Sequence, residues 1–276
     1  MVDTRLLLRV LLVLTPALYA AAWCLYVLVF FNDSPEMKRA ARPLLTVAAA
    51  THLAYLLGFT LFFQHLPLVN GFQLAGAIGF AVAATYLWVE GRAGSPHTGP
   101  FVLFIVLAFV SVSLLDPRLD HAVPVILQSK LFSIHVSAAV LGYSAFALAA
   151  VFGLLYLMQY YGLRAGRFGL VFRRLPSLGI LDRMNLYAAI LGFVFLTVAI
   201  SVGGAWSARV FGGVMLDPKV AIALAAWLVY GLTLMGRRLA WWSETQMAYS
   251  TLFGFGIVLF SMFVVNYWSR FHVFTG

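Results

Sequence analysis

Apolar residues run along this chain in blocks of about twenty, each closed by proline, glycine or clustered charge, rather than alternating or marking a single helix face. Windows of roughly 19 residues predict helices near 10 to 31, 43 to 63, 71 to 89 and 100 to 115. A second set follows near 131 to 160, 186 to 204, 218 to 236 and 247 to 268. Backbone amides in hydrocarbon have no water to bond, and these runs are far too long for barrel strands. The pattern therefore predicts an all-α polytopic membrane helix bundle with about eight transmembrane helices. No repeat, low-complexity tract or soluble domain interrupts it, so residues 1–276 read as one integral membrane domain.

Composition strengthens this reading. The chain is 63% apolar and 10% charged, with mean hydropathy +0.96, more apolar surface than one water-soluble core covers. Its net charge of +9 comes from basic residues lying between apolar blocks rather than along one face, which excludes a nucleic-acid stripe. They mark topology instead. Arg164, Arg167, Arg173, Arg174 and Arg183 crowd one connection, and Arg237 and Arg238 another, so both are expected on the cytoplasmic side. Counting back puts the connections bearing Lys38, Arg39, Arg42 and Arg92 inside as well. The connections at 64–70, 116–130 and 205–218 fall outside, as do both termini, with Arg5 and Arg9 running against this parity.

Cys24 is the sole cysteine. It rules out a disulfide within the chain, a Cys-x-x-Cys redox pair and a Cys-x-x-Cys-His attachment site, so the protein is not a c-type cytochrome. The first apolar block exceeds a signal-peptide core and is followed by the polar stretch Asn32 to Arg42, which reads as a retained helix.

Few residues carry chemistry. His135, about one turn into the fifth span, and His272, just past the last, fall at the same outer level. Two neutral imidazoles across a gap can ligate a haem iron axially; spacing alone favours two interfacial polar residues. Between them Gly203-Gly204-Ala205-Trp206, Phe211-Gly212-Gly213 and Leu216-Asp217-Pro218-Lys219 read as an aromatic outer loop. Such a loop can cover a porphyrin face, with Arg209, Lys219 and Arg270 available to propionates, or be ordinary interfacial aromatics and helix-ending glycines. His52 stands about nine residues into the second span, roughly 13 Å deep at 1.5 Å per residue, where a polar ring should face the bundle either as a ligand or bonded to a neighbouring carbonyl. The run Leu175-Pro176-Ser177 to Leu181-Asp182-Arg183-Met184-Asn185 reads as a capped helix start with Asp182 at the cap. Gly192, Gly203, Gly254 and Gly256, with the alanines from Ala221 to Ala226, permit close helix approach. There is no Ser-His-Asp order, no phosphate loop and no carboxylate cluster within a span.

Taken in order, several of these pieces resemble the cytochrome c assembly family, the CcsA and HemX-like membrane proteins that handle haem. The resemblance covers roughly residues 125 to 274. It rests on Leu127-Gln128-Ser129, Ile134-His135-Val136, Gly142-Tyr143, Leu175-Pro176-Ser177, Leu181 to Asn185 and Gly192-Phe193, then on Trp206, Asp217-Pro218-Lys219, Trp227-Leu228-Val229-Tyr230, Gly254-Phe255 and Asn266 to His272. It implies haem-ligand roles for His135 and His272, a haem-facing loop bearing Trp206, Phe211 and Asp217, propionate pairing by Arg209 and Arg270, and a transmembrane haem candidate in His52. It also implies non-covalent haem b and a bacterial cytoplasmic membrane. Apocytochrome c is the implied client, alongside a second membrane protein carrying the large outer domain this chain lacks. The chain departs from the family where Phe211, Val214, Met215 and Leu216 stand in a loop that usually holds more tryptophans, where Val220 follows Lys219, and where Met235 occupies a usual histidine position.

Three functions are thereby framed. One is a haem-handling factor of cytochrome c biogenesis that positions haem rather than acting as a conventional enzyme, thioether formation drawing on haem vinyls and client cysteines. Another is a HemX-like regulator of haem biosynthesis acting through cytoplasmic contacts of the basic stretch Arg164 to Arg183. A transporter of another solute would require broken helices or paired intramembrane charges, and the expected spans offer essentially His52 alone.

Overall fold

The computed structural model describes residues 4–68, 70–116, 119, 129–166, 168–213 and 218–263, leaving aside the side chains of residues 170, 171, 211, 262 and 263. Every regular element among them is helical: α1 (Thr4–Asn32), α2 (Pro35–Phe63), α3 (Gly71–Ala93), α4 (Gly99–Ser113), α5 (Lys130–Arg164), α6 (Leu170–Arg174), α7 (Leu178–Phe211), α8 (Pro218–Arg238) and α9 (Glu244–Phe263). Six of these, α1, α2, α3, α5, α7 and α8, are long and apolar enough to cross a membrane. With the apolar 15-residue α4 and the 20-residue α9, they correspond to the eight expected spans. The chain is a multi-pass helical membrane protein.

The helices divide into two compact units, 1–128 with 174–176, and 129–173 with 177–276. In the first, α1 packs on α2 and α4, and α3 on α4 and α2, closing a four-helix ring. Left-handed residues end its helices: Gln64 after α2 has φ 61, and Gly94 after α3 has φ 74 with its N–H bonded to the Glu90 carbonyl. Asn70 caps α3, its side chain accepting the Gln73 N–H at 2.8 Å. Asp33 joins Lys38 at 2.6 Å and His97 at 2.7 Å, so the α1–α2 and α3–α4 connections share one end of this unit.

In the second unit α5 lies along α7, with α9 also against α5 and α8 between α7 and α9. Glycines set these approaches. Phe146 of α5 stacks on Tyr230 of α8 with centroids 3.6 Å apart; Gly192 leaves the space the Phe146 ring fills, and Gly254 does the same for Tyr230. Trp227 stacks on Phe193 and donates from Nε1 to Thr197 Oγ1 at 2.8 Å. At the charged end, Arg237 donates to Asp182 at 2.5 Å and lies 3.6 Å from Glu244. Tyr156 of α5 donates to that same Glu244 at 3.2 Å, so the ends of α5 and α8 meet the starts of α7 and α9.

Two elements differ instructively from expectation. Helix α2 begins at Pro35, well before residue 43, because Pro35 occupies the first turn where its missing N–H costs nothing, and the helix accommodates Pro43 farther in. Helix α7 runs from Leu178 to Phe211 rather than 186 to 204. Its polar start is stabilised by partners on α8 and α9, and Ser177, not Asp182, is the N-cap. The expected outer loop from Gly203 is helical through Phe211, with small residues holding the backbone against α5 and Gly212, at φ 74, ending it.

Candidate functional site

His135 sits in the second turn of α5, where α7 passes close beside it. Its Nδ1 lies 2.8 Å from the carbonyl oxygen of Ala199. A carbonyl only accepts, so Nδ1 carries the proton and Nε2 keeps its lone pair. Gly203, one turn beyond Ala199, makes the approach possible: a Cβ there would stand 2.6 Å from Nδ1 and 2.7 Å from Cε1. One turn before His135, Phe132 meets Trp206 of α7, with ring centroids 5.4 Å apart and planes tilted by 52°. Lys219, at the start of α8, lies close enough to act electrostatically on His135, and Arg209 is exposed on the last turn of α7.

One end of the second unit thus gathers a tautomer-fixed imidazole, two aromatic rings and a cation. Metal-ligating histidines typically hold the proton of their other nitrogen on a carbonyl or carboxylate, which fixes the ring and makes the lone-pair nitrogen a better donor. His135 fits an axial ligand of haem iron on that ground. His272, Asp217 and Arg270 lie outside the described residues; Phe211 closes α7, and its side chain also lies outside them.

His52 belongs to the first unit and is separate from this cluster. It is 3% exposed, hemmed by Phe80 at 5.6 Å, Tyr19 at 5.8 Å and Tyr55 at 6.4 Å between ring centroids. Its Nδ1 has no hydrogen-bond partner, so of the two roles its position allows, the bond to a neighbouring carbonyl is not made there. The recess beside it has a cavity volume of about 20 Å³, against the roughly 300 Å³ or more of a pocket that encloses a cofactor. A porphyrin does not fit at His52 in this structure. Met235 is half exposed on α8.

Sequence reasoning passed over Glu90, placed just beyond an expected span end and beside Arg92. It is 5% exposed, and Tyr26 of α1 donates to its Oε2 at 2.6 Å. The Arg42 guanidinium fills the space left by the adjacent Gly91. Its one legible signal was a carboxylate in the last turn of an apolar helix with arginines nearby. Asn185 was also missed as a core polar group: 1% exposed, it donates to Thr251 Oγ1 at 3.2 Å.

Among the described residues no three His, Cys, Asp or Glu side chains stand together as a metal site. A family model described as Cytochrome C assembly protein matches residues 11–272. The chain belongs to that family. Within the cytochrome c assembly family it is 29% identical over 231 residues to "Protein HemX" of Brevibacillus brevis, covering 81% of this chain and 83% of that one. It is 24% identical over 275 residues to "Protein HemX" of Bacillus subtilis, covering 95% and 96% of the two chains. It is also 28% identical over 271 residues to "Cytochrome c biogenesis protein CcsA" of Synechococcus sp. (strain RCC307), covering 87% and 86%. The family match extends over both helical units.

Proposed function

We propose that this protein is a haem-handling component of cytochrome c biogenesis in the bacterial cytoplasmic membrane, holding haem b at the outer face with His135 as an axial ligand. The observation that carries this reading is the Nδ1 bond from His135 to the Ala199 carbonyl, which leaves Nε2 as a fixed lone-pair donor. Among the described residues no side-chain cluster forms a metal site, and a haem held by His135 would bring its own remaining iron donors with it. His272 is the second axial ligand in this reading. Trp206 and Phe211 flank the ring face, and Lys219, Arg209 and Arg270 pair with its propionates.

Bound haem supplies the iron and the vinyl groups that apocytochrome cysteines attack. The chain's own part is to fix orientation, exclude water from the ring face and balance charge. Delivery to apocytochrome c is with a second membrane protein bearing a large outer domain. A regulatory reading is favoured by one observation, the similarity to two proteins named HemX over most of this chain. In it haem is a sensed ligand and the basic stretch Arg164 to Arg183 contacts an enzyme of haem synthesis.

Oxidised and reduced visible spectra with a pyridine haemochrome assay, on detergent-purified protein from haem-replete cells, test the proposal. Wild type carries haem b, while His135→Ala and His272→Ala lose it or shift its bands at unchanged expression. Wild type that stays haem-free when haem is supplied overturns the proposal. Haem lost in His52→Ala and retained in both outer variants overturns the outer site.

A further inference from the structure

Among the described residues His52 is the most thoroughly buried histidine, and its Nδ1 is a buried nitrogen without a partner. His52 Nδ1 and Tyr19 Oη are both buried in the first unit without a hydrogen-bond partner, and their rings meet edge to face. Leaving such a group dry costs on the order of 1–3 kcal/mol, and proteins generally meet that cost with ordered water where a polar recess has room. The recess against His52 has room. Its cavity volume of about 20 Å³ exceeds the roughly 10–15 Å³ one water needs.

The lining of the recess gives it a direction. From His52, Thr15 and Tyr55 it passes Gly76 and Ser113 and reaches Gln73 and Asp116, at the start of α3 and just past the end of α4. This is the end of the unit opposite the Asp33, Lys38 and His97 connections, hence the outer end by the charge parity. Thr15 Oγ1 and Ser113 Oγ each donate to a carbonyl of their own helix, leaving oxygen lone pairs to accept from water. Gly76 lines the recess beside Ser113, where a Cβ would come into ordinary contact with Ser113 Cβ at 3.4 Å, so only a larger side chain would fill it.

We propose that His52 is the inner end of a hydrated inlet from the outer face and binds water, not haem iron. The three aromatic rings around the imidazole enclose it against a flat macrocycle while leaving one water-wide approach. The other titratable groups around that approach are Tyr19, Tyr55 and Asp116. An imidazole hydrated in this way exchanges its proton with the outer side of the membrane. The inference concerns a site apart from His135 and stands without the haem reading.

Water-edited solid-state NMR on the full chain in lipid vesicles, with isotope-labelled histidine and the His52 signal assigned by its disappearance in His52→Gln, tests it. The His52 ring nitrogens should receive water magnetisation as fast as those of His65, and Gly76→Leu should abolish that transfer at His52 alone. Haem content should be unchanged in His52→Gln. A His52 signal that stays dry in wild type while His65 is wet overturns the proposal, as does loss of haem in His52→Gln. If His52→Gln does not fold, the signal selectively lost from the water-edited spectrum in Gly76→Leu supplies the assignment, and no such signal overturns the inlet. Haem-free wild type defeats the function proposed above, and the water measurement still decides this one.

Discussion

His135 and Ala199 stand 64 residues apart, yet the histidine's Nδ1 and the alanine's carbonyl oxygen are joined across 2.8 Å. The contact puts the ring proton on Nδ1 and leaves Nε2 with its lone pair. Its geometry rests on one missing side chain, that of Gly203.

Gly203→Ala should therefore act as a haem variant rather than a folding variant. The added methyl would press on Nδ1 and Cε1 of His135 and turn the ring off the Ala199 carbonyl, while alanine improves local helix propensity by about 1 kcal/mol. Haem-to-protein ratio should fall toward that of His135→Ala with size-exclusion behaviour unchanged. Retained haem in a well-folded Gly203→Ala protein would separate the Ala199 bond from ligation.

Arg237→Gln should loosen the charged end of the second unit. Asp182 keeps only 9% side-chain exposure there, so removing its guanidinium partner leaves a poorly hydrated carboxylate, at a cost of about 2 kcal/mol. Thermal unfolding in detergent should show the loss. Asp182→Asn combined with Arg237→Gln should recover part of it, because the stranded charge is gone.

The stacked Phe146 and Tyr230 pair should be the most sensitive apolar contact between α5 and α8. Phe146→Ala removes a fully buried ring and should destabilise by about 3–5 kcal/mol. Gly192→Ala should cost about 1–3 kcal/mol by overpacking, since its methyl would enter the Phe146 ring. Denaturant titration of the purified variants measures both, and a neutral Gly192→Ala would show that Phe146 has another rotamer open to it.

Acid should weaken the first unit through Asp33. Lys38, and after it His97, hold this exposed carboxyl below its ordinary value. A folded-state pKa below the unfolded one means the contribution is present above roughly pH 4 and is lost as pH falls through the depressed value. The group is 44% exposed, so solvent screening limits the effect to about 1 kcal/mol or less. Asp33→Asn should lower neutral-pH stability by that same amount and flatten the acid limb of a melting-temperature profile between about pH 3 and 5.

Lipid makes much of this protein legible one segment at a time. A helix in hydrocarbon must satisfy its own backbone and match the bilayer in length, so apolar blocks and the charges between them determined the number of spans, their order and the expected sidedness of the connections. The candidate histidines could be named the same way, since an imidazole at His52 or His135 stands out in an apolar run. What each histidine does was beyond the sequence. His135 received a carbonyl partner from α7 and His52 received none, because hydrogen bonding across helices depends on which faces meet and how closely glycine lets them approach. The same physics placed Trp206 on a helix rather than a loop, gave Asp182 an arginine instead of a cap, and buried Glu90 under Tyr26. Those outcomes are set by contacts among residues far apart in the chain, and only the folded helices bring such residues together.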